Sequence, residues 1–315
     1  MQKIALIGIG GIGKRHLQAI SNLNIDYELI CFDKNIDFLD FLPEFCNSNN
    51  IKKTNINMVE SEEIFYNCIS DETLVIIATT AKGRKGILEG CIEKRPLAII
   101  AEKPLVQNNT DYQYIINKAK DFKTNIYINF IARAQPFWKK IHKEFKNTKF
   151  NLVTNLPKEW GIACVGIHHF DLFTWFIGEN GYEIIDSSVK YVFEQKRKGF
   201  YDVAGNILIS TERGQFLNVN SSENPNISSV QFINETDIYN YFEIQKKLLK
   251  LDKKNKLRID SAEDLYISNY MTEVIINILT KKDKCILPDI NESYIPHKIL
   301  FEYLMINHLD DLNFT

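Results

Sequence analysis

No two cysteines in the 315 residues stand as a CxxC pair. The six present, Cys31, Cys46, Cys68, Cys91, Cys164 and Cys285, are too sparse and scattered for a disulfide framework, so reduced thiols in a cytoplasm are the expectation. No apolar run approaches the roughly 20 residues that cross a bilayer, and no membrane partner is expected. The first strand begins at once, which leaves no room for a signal peptide. An excess of one charge sign is missing too. Lys and Arg number 38 against 40 Asp and Glu, for a net charge of −2, and the basic residues are dispersed among acids, so no nucleic acid is expected as a partner. There is no internal repeat, and no low-complexity segment beyond a general Ile/Asn/Lys bias.

What the chain does have is concentrated at its start. Lys3-Ile4-Ala5-Leu6-Ile7 runs into Gly8-Ile9-Gly10-Gly11-Ile12-Gly13, and Asp33 closes the next apolar run, 20 residues past Gly13. A lone GxGxxG is weak, but this one follows a strand, opens a helix and has the acid at the right spacing. Gly8 permits a tight turn, Gly10 lets the backbone approach a pyrophosphate, and Gly13 lets helix and strand pack closely. The N–H groups of Gly11, Ile12 and Gly13 and the helix dipole then favour phosphate. Asp33 would accept hydrogen bonds from a ribose diol, which favours NAD over NADP; Lys34 beside it partly relieves that discrimination, so NADP stays possible.

The length fits about two domains. Over residues 1–123, strand and helix signals alternate as a doubly wound parallel sheet requires. Strands end at Ile7 and Asp33, a weak one lies at 56–59, and others cover 73–78, 97–101 and 125–130. Helices are expected at 11–23, with Ile12, Leu17, Ile20 and Leu23 toward the sheet, around 38–45 before a polar Asn-rich stretch, from Ser61, and at 83–94 and 110–121. Residues 124–315 read differently. A helix at 137–145, a strand near 150–154 and an apolar helix at 164–177, stopped by Gly178, precede strands at 184–192, 203–210, 216–220, 229–233 and 239–244. Helices at 264–279 and 294–308 follow. The expected architecture is an α/β Rossmann domain followed by an α+β domain with an open, mostly antiparallel sheet. Tyr239, Phe242 and Ile244 point to an apolar sheet face for a homodimer or homotetramer.

Two constellations carry chemistry. Glu102-Lys103-Pro104 ends the fifth strand, where ligands of parallel sheets bind, so Lys103 could hold a substrate hydroxyl or carbonyl. On the helix at 164–177, Cys164, His168, Asp171 and Trp175 share a face, and His168 could act as a general base. A solvated lysine and a satisfied core histidine are the plainer readings of each. Arg133 is a further candidate for substrate contact. No Cys or His stands at ligand spacing around His168 and His169, so no metal is expected.

Together these features resemble the Gfo/Idh/MocA oxidoreductase family. The likeness rests on the glycine motif followed by Arg15-His16, on Ala78-Thr79-Thr80, on Glu102-Lys103-Pro104, on Gly-x-His-His-x-Asp at 166–171 and on the strand-rich C-terminal half. It implies an NAD(P)-dependent oxidoreductase that moves a hydride between nicotinamide and a sugar or nucleotide-sugar type of substrate. Lys103 would position the reacting oxygen and His168 would take or give the proton. Thr79 and Thr80 would line the cofactor, and Glu102 would support the nicotinamide ribose. Many members carry an aspartate four residues before the histidine, where this chain has Cys164. A neutral thiol cannot stabilise an imidazolium as a carboxylate does. That leaves open a ketone or imine reductase of other small molecules, or a catalytically silent NAD-binding sensor.

Overall fold

The apolar run at the start becomes strand β1 (Gln2–Ile7), whose last four residues are buried, as cover on both faces demands. The computed structural model describes residues 1–35, 37–48, 56–146, 148–178, 181–221, 223–224, 226, 228–254, 256–261 and 267–314. In it, β1 lies parallel between β2 (Tyr27–Phe32) and β4 (Thr73–Ile77). With β3 (Ile56–Met58), β5 (Ala98–Ala101) and β6 (Ile126–Ile128), the sheet order is β3-β2-β1-β4-β5-β6, all pairs parallel. This is the 3-2-1-4-5-6 order of the doubly wound dinucleotide-binding sheet. Helices α1 (Gly11–Ser21), α2 (Asp37–Ser48), α3 (Glu62–Asn67), α4 (Arg84–Glu93) and α5 (Asn109–Phe122) connect the strands. Ser61 and Asn108 cap α3 and α5 through their side chains, accepting from the amides of Ile64 and Asp111. The Asn-rich stretch after α2 lies largely outside the described residues.

The second body of secondary structure is built on an eight-stranded sheet of order β14-β13-β12-β11-β7-β10-β9-β8. Its strands are β7 (Asn151–Leu156), β8 (Glu183–Glu194), β9 (Tyr201–Ser210), β10 (Phe216–Ser221), β11 (Ser229–Ile233), β12 (Ile238–Phe242), β13 (Lys247–Leu251) and β14 (Leu257–Ser261). Only β7 and β10 pair in parallel; every other pair is antiparallel. The helices of this part are α6 (Pro136–Phe145), α7 (Ile167–Ile177) and α9 (Tyr294–Ile306). An aromatic cluster joins helices to sheet: the Phe176 and Phe232 ring centres stand 4.7 Å apart, and Trp138 meets Phe232 and Tyr241 at 5.9 Å.

The chain forms two compact units, residues 1–134 with 265–293 and residues 135–264 with 294–315. Helix α8 (Ile267–Thr280), which the sequence reading grouped with the later residues, packs Met271, Val274 and Ile275 into the core of the first unit, against α1. The expected start of that helix at 264 lies outside the described residues. Three local expectations change. Ile12 is 43% exposed at the helix start, whereas Leu17, Ile20 and Leu23 are buried as expected and are joined by His16 and Ala19. Tyr239 is buried beside Phe145, while Phe242 alternates to the other side of β12, so the two do not form one apolar face. Strands β13 and β14 extend the sheet beyond those read from the sequence.

Two glycines of α1 make a paired test. A Cβ on Gly13 would lie 2.0 Å from the Gly8 carbonyl oxygen, whereas one on Gly11 would meet nothing within 4 Å. Gly13→Ala should cost about 2 to 3 kcal/mol through backbone displacement. Gly11→Ala should gain about 0.5 kcal/mol by restricting the unfolded chain. Urea unfolding of both variants checks the contrast.

Candidate functional site

The carboxyl edge of the six-stranded sheet collects most of the expected site residues. Gly8 leaves β1 with φ +90°, and a Cβ there would fall 2.8 Å from the Ala78 carbonyl carbon and 2.9 Å from the Thr79 nitrogen. Only glycine fits both the conformation and the space. Helix α1 then begins with Gly10 at its N-cap, no side-chain cap and no acid in its first turn. At the end of β2, Asp33 is held in one orientation. It accepts the Ile9 N–H at 2.5 Å through one carboxylate oxygen and the Asn35 N–H at 2.8 Å through the other. Lys34 points outward, 78% exposed and 3.8 Å from Glu62. Thr79 and Thr80 follow β4, both half-buried; the Thr80 hydroxyl donates to the Lys82 carbonyl at 3.5 Å.

Next to this, at the end of β5, Glu102 is buried and Lys103 half-buried, with the Lys103–Pro104 bond cis. His16 of α1 donates through Nε2 to Glu102 Oε1 at 2.8 Å, and the Asn129 amide donates to the same oxygen at 2.6 Å. Burial pushes the Glu102 carboxyl up, but the His16 bond and charge, the Asn129 bond and the Lys103 charge outweigh it, and the net shift is downward. Beneath the turn lies Arg84, 1% exposed. Its guanidinium donates to the carbonyls of Thr79, Glu102, Pro104 and Leu105. Burial draws Arg84 down to about 10, opposed by the Glu102 charge, so it stays cationic at neutral pH. Sequence reasoning missed Arg84, because one arginine in an amphipathic helix reads as a solvent-facing cation. Arg133 is buried on a 3-10 turn at 131–134, its Nη1 3.5 Å from Glu292.

His168 and Cys164 belong to the second unit. Cys164 does not continue α7: residues 162–166 form a π-helical turn, so the i, i+4 face that would align it with His168 is interrupted there. Within α7, His168 and Trp175 are half-buried and Asp171 fully buried. Gly178 ends the helix in the left-handed region, as expected. The turn is anchored by another residue the sequence reading passed over. Asp202 of β9, 1% exposed, accepts the N–H groups of Ala163 at 2.9 Å and Cys164 at 3.0 Å, and the Gln195 amide at 3.2 Å. A Cβ on Gly161 would overlap this carboxylate at 1.9 Å, which explains the glycine. Among the described residues, no group of three or more His, Cys, Asp or Glu could hold a metal ion, and no helix is long and apolar enough to cross a membrane.

Solved structures share the whole architecture. UDP-N-acetylglucosamine 3-dehydrogenase GnnA from Acidithiobacillus ferrooxidans superposes with a TM-score of 0.74 at 13% identity, over 98% of each chain. The dehydrogenase MviM from Clostridium difficile gives 0.74 at 14%, over 97% of this chain and 99% of that one. A lysine-to-alanine variant of the 3-ketoreductase KijD10 from Actinomadura kijaniata, in complex with TDP-benzene and NADP, gives 0.71 at 12%, over 95% of both. No protein-family model matches the sequence, and no curated protein matches it. What these structures share with the chain is the two-sheet fold.

His169, adjacent to the candidate proton carrier, yields a pH prediction. It is 2% exposed, neither ring nitrogen has a hydrogen-bond partner among the described residues, and burial lowers it from 6.5 to about 4. The unfolded chain therefore binds a proton that the fold refuses. The resulting stability is whole above pH 6.5 and is lost as pH falls from there toward 4, by about 2 kcal/mol between pH 7.5 and 5. His169→Phe should lose that much less over the same interval, measured by urea unfolding midpoints at the two pH values.

Proposed function

We propose that the chain is an NAD(P)-dependent oxidoreductase of the Gfo/Idh/MocA type, acting on a sugar or nucleotide-sugar substrate. The observation that carries this is the convergence on one sheet edge of the Gly8–Gly13 turn, the fixed Asp33 carboxylate and the braced Lys103 turn. The residues fit a dinucleotide: the uncapped start of α1 offers N–H donors to a pyrophosphate, and Asp33 keeps acceptor capacity for a ribose diol. Thr79 and Thr80 would flank the nicotinamide half. Supporting the substrate class, GnnA acts on UDP-N-acetylglucosamine by its name, and KijD10 is a 3-ketoreductase captured with TDP-benzene and NADP.

The bound cofactor would supply hydride exchange at its nicotinamide C4. The chain's own part is proton handling and orientation. Lys103 donates a hydrogen bond to the substrate oxygen and holds it while its charge changes. In oxidation His168 takes the hydroxyl proton as the carbon loses hydride; in reduction it returns that proton to the oxygen. Cys164 stands where many members of that family carry an aspartate, so position 164 supplies no carboxylate. That departure supports the second reading, a dinucleotide-binding sensor without turnover. The domains of the proposal are the dinucleotide-binding sheet and a substrate-binding, self-associating sheet. Exposed Leu257 and Ile259, two residues apart on the edge strand β14, support its association with a second copy.

Three measurements test these readings. NADH should bind more tightly than NADPH in fluorescence titration, because a 2′-phosphate against Asp33 costs ~1 to 4 kcal/mol; the reverse order refutes the Asp33 role. With sugars and nucleotide sugars screened at 340 nm, an active pair should lose roughly 10² to 10⁴-fold in turnover on Lys103→Ala or His168→Asn, with NADH binding retained. Full activity in His168→Asn refutes its role, and binding without turnover across the panel favours the sensor. Sedimentation at micromolar concentration should give a dimer or tetramer; a clean monomer removes the association.

A further inference from the structure

We propose that Arg84 is the positioning residue for Lys103; the functional weight of this rests on the reading of Lys103 as the amine that holds the substrate oxygen. Arg84 opens α4 and is buried, yet among the described residues its guanidinium does not pair directly with a carboxylate. It takes backbone carbonyls on both sides of Lys103, that of Glu102 before it at 2.5 Å and those of Pro104 and Leu105 after it. Its second terminal nitrogen takes the carbonyl of Thr79, beyond the end of the neighbouring strand β4. One rigid planar cation thus ties the exits of β4 and β5 together and brackets the lysine between them.

The chemistry of the side chain matches that task. Terminal nitrogens in a fixed plane reach acceptors on two strand ends at once; an ammonium is a single point, and a carboxamide has one donor nitrogen. A guanidinium taken out of water is costly, and a core that needed only filling would be served as well by an apolar residue of similar volume. The cost is offset here by the four carbonyl dipoles and by the Glu102 carboxylate, which His16 and Asn129 hold in place. Residue 102 is therefore pinned through its side chain from one direction and through its carbonyl from the other. Lys103 starts from a backbone that cannot drift.

Amide hydrogen exchange and site-resolved amine labelling of the full chain test this. In Arg84→Met, amides across 102–107 should exchange roughly tenfold faster, while β1 and the eight-stranded sheet keep their wild-type rates. In the wild type, NADH should shield Lys103 from acetic anhydride. Arg84→Met should lose that shielding, and millimolar methylguanidinium should restore it in Arg84→Ala. Wild-type local exchange in a folded Arg84→Met overturns the proposal. If the local exchange rises but NADH never shields Lys103 in the wild type, the positioning role stands and the cofactor-side reading of Lys103 falls. If Arg84→Met cannot be recovered folded, Arg84→Lys carries the same measurement. A uniform rise in exchange across the unit in both variants assigns Arg84 to folding alone and overturns the proposal.

Discussion

The contact on which the first unit depends is the approach of Gly13 to the carbonyl of Gly8, too close for any Cβ between them. It brings the start of α1 against the exit of β1, and Gly8 in turn presses on the backbone of Ala78 and Thr79 beyond β4. Three backbone segments therefore meet where a doubly wound sheet receives its ligand. The same contact sets the depth of α1. His16 lies one turn further along and reaches Glu102 at the end of β5, while Thr272 of α8 donates its hydroxyl to the Ala19 carbonyl on the same helix. A shift of α1 by the width of a methyl group would be felt at Glu102, 86 positions away in sequence.

Electrostatics explains why that edge is built from buried ionisable and polar groups rather than apolar packing. His16, Arg84 and Glu102 are each almost fully removed from water, and Asn129 joins them. Groups of this kind are expensive to bury and tolerable only when hydrogen bonds answer them. Here the answers are mostly backbone carbonyls and a shared carboxylate oxygen, so the cost of burying each group is offset only in one arrangement of the strand exits. The arrangement is stiff for that reason.

The legible parts of this chain were those whose signal is local. Unbroken apolar runs gave β1, β2, β4 and β5 because burial on both faces leaves no alternation to misread. Glycines gave the turn after β1 and the end of α7, since φ above zero admits little else. Less local features were lost. Ile12 fitted a helical period yet sits in the first turn, before the helix reaches the sheet. The π-helical turn at 162–166 broke the period on which Cys164 and His168 were aligned, and no residue pattern announces such a turn. Tyr239 and Phe242 were grouped by hydrophobicity although a strand's period of two separates them. Strands β13 and β14 carry lysines, an arginine and little burial, so no buried alternation singles them out. Arg84 and Asp202 were invisible because their partners are backbone atoms, which a sequence does not display.

Those two hidden residues solve the same problem with opposite charges. Arg84 collects carbonyls at the exits of two strands, where C=O groups leave the ladder without partners. Asp202 collects N–H groups at the entry of a helix, where donors have no acceptors. Each fixes backbone near a candidate reacting side chain, Arg84 on both sides of Lys103 in one unit and Asp202 at the turn leading to His168 in the other. The turn that carries Cys164 is informative on this ground. A carboxylate is still present at that turn: it arrives from β9 and accepts the Ala163 and Cys164 N–H groups. What it supplies is the path of the backbone into α7. Orienting an imidazole and fixing a helix entry are separate tasks, and the contacts of Asp202 with two successive amides perform the second.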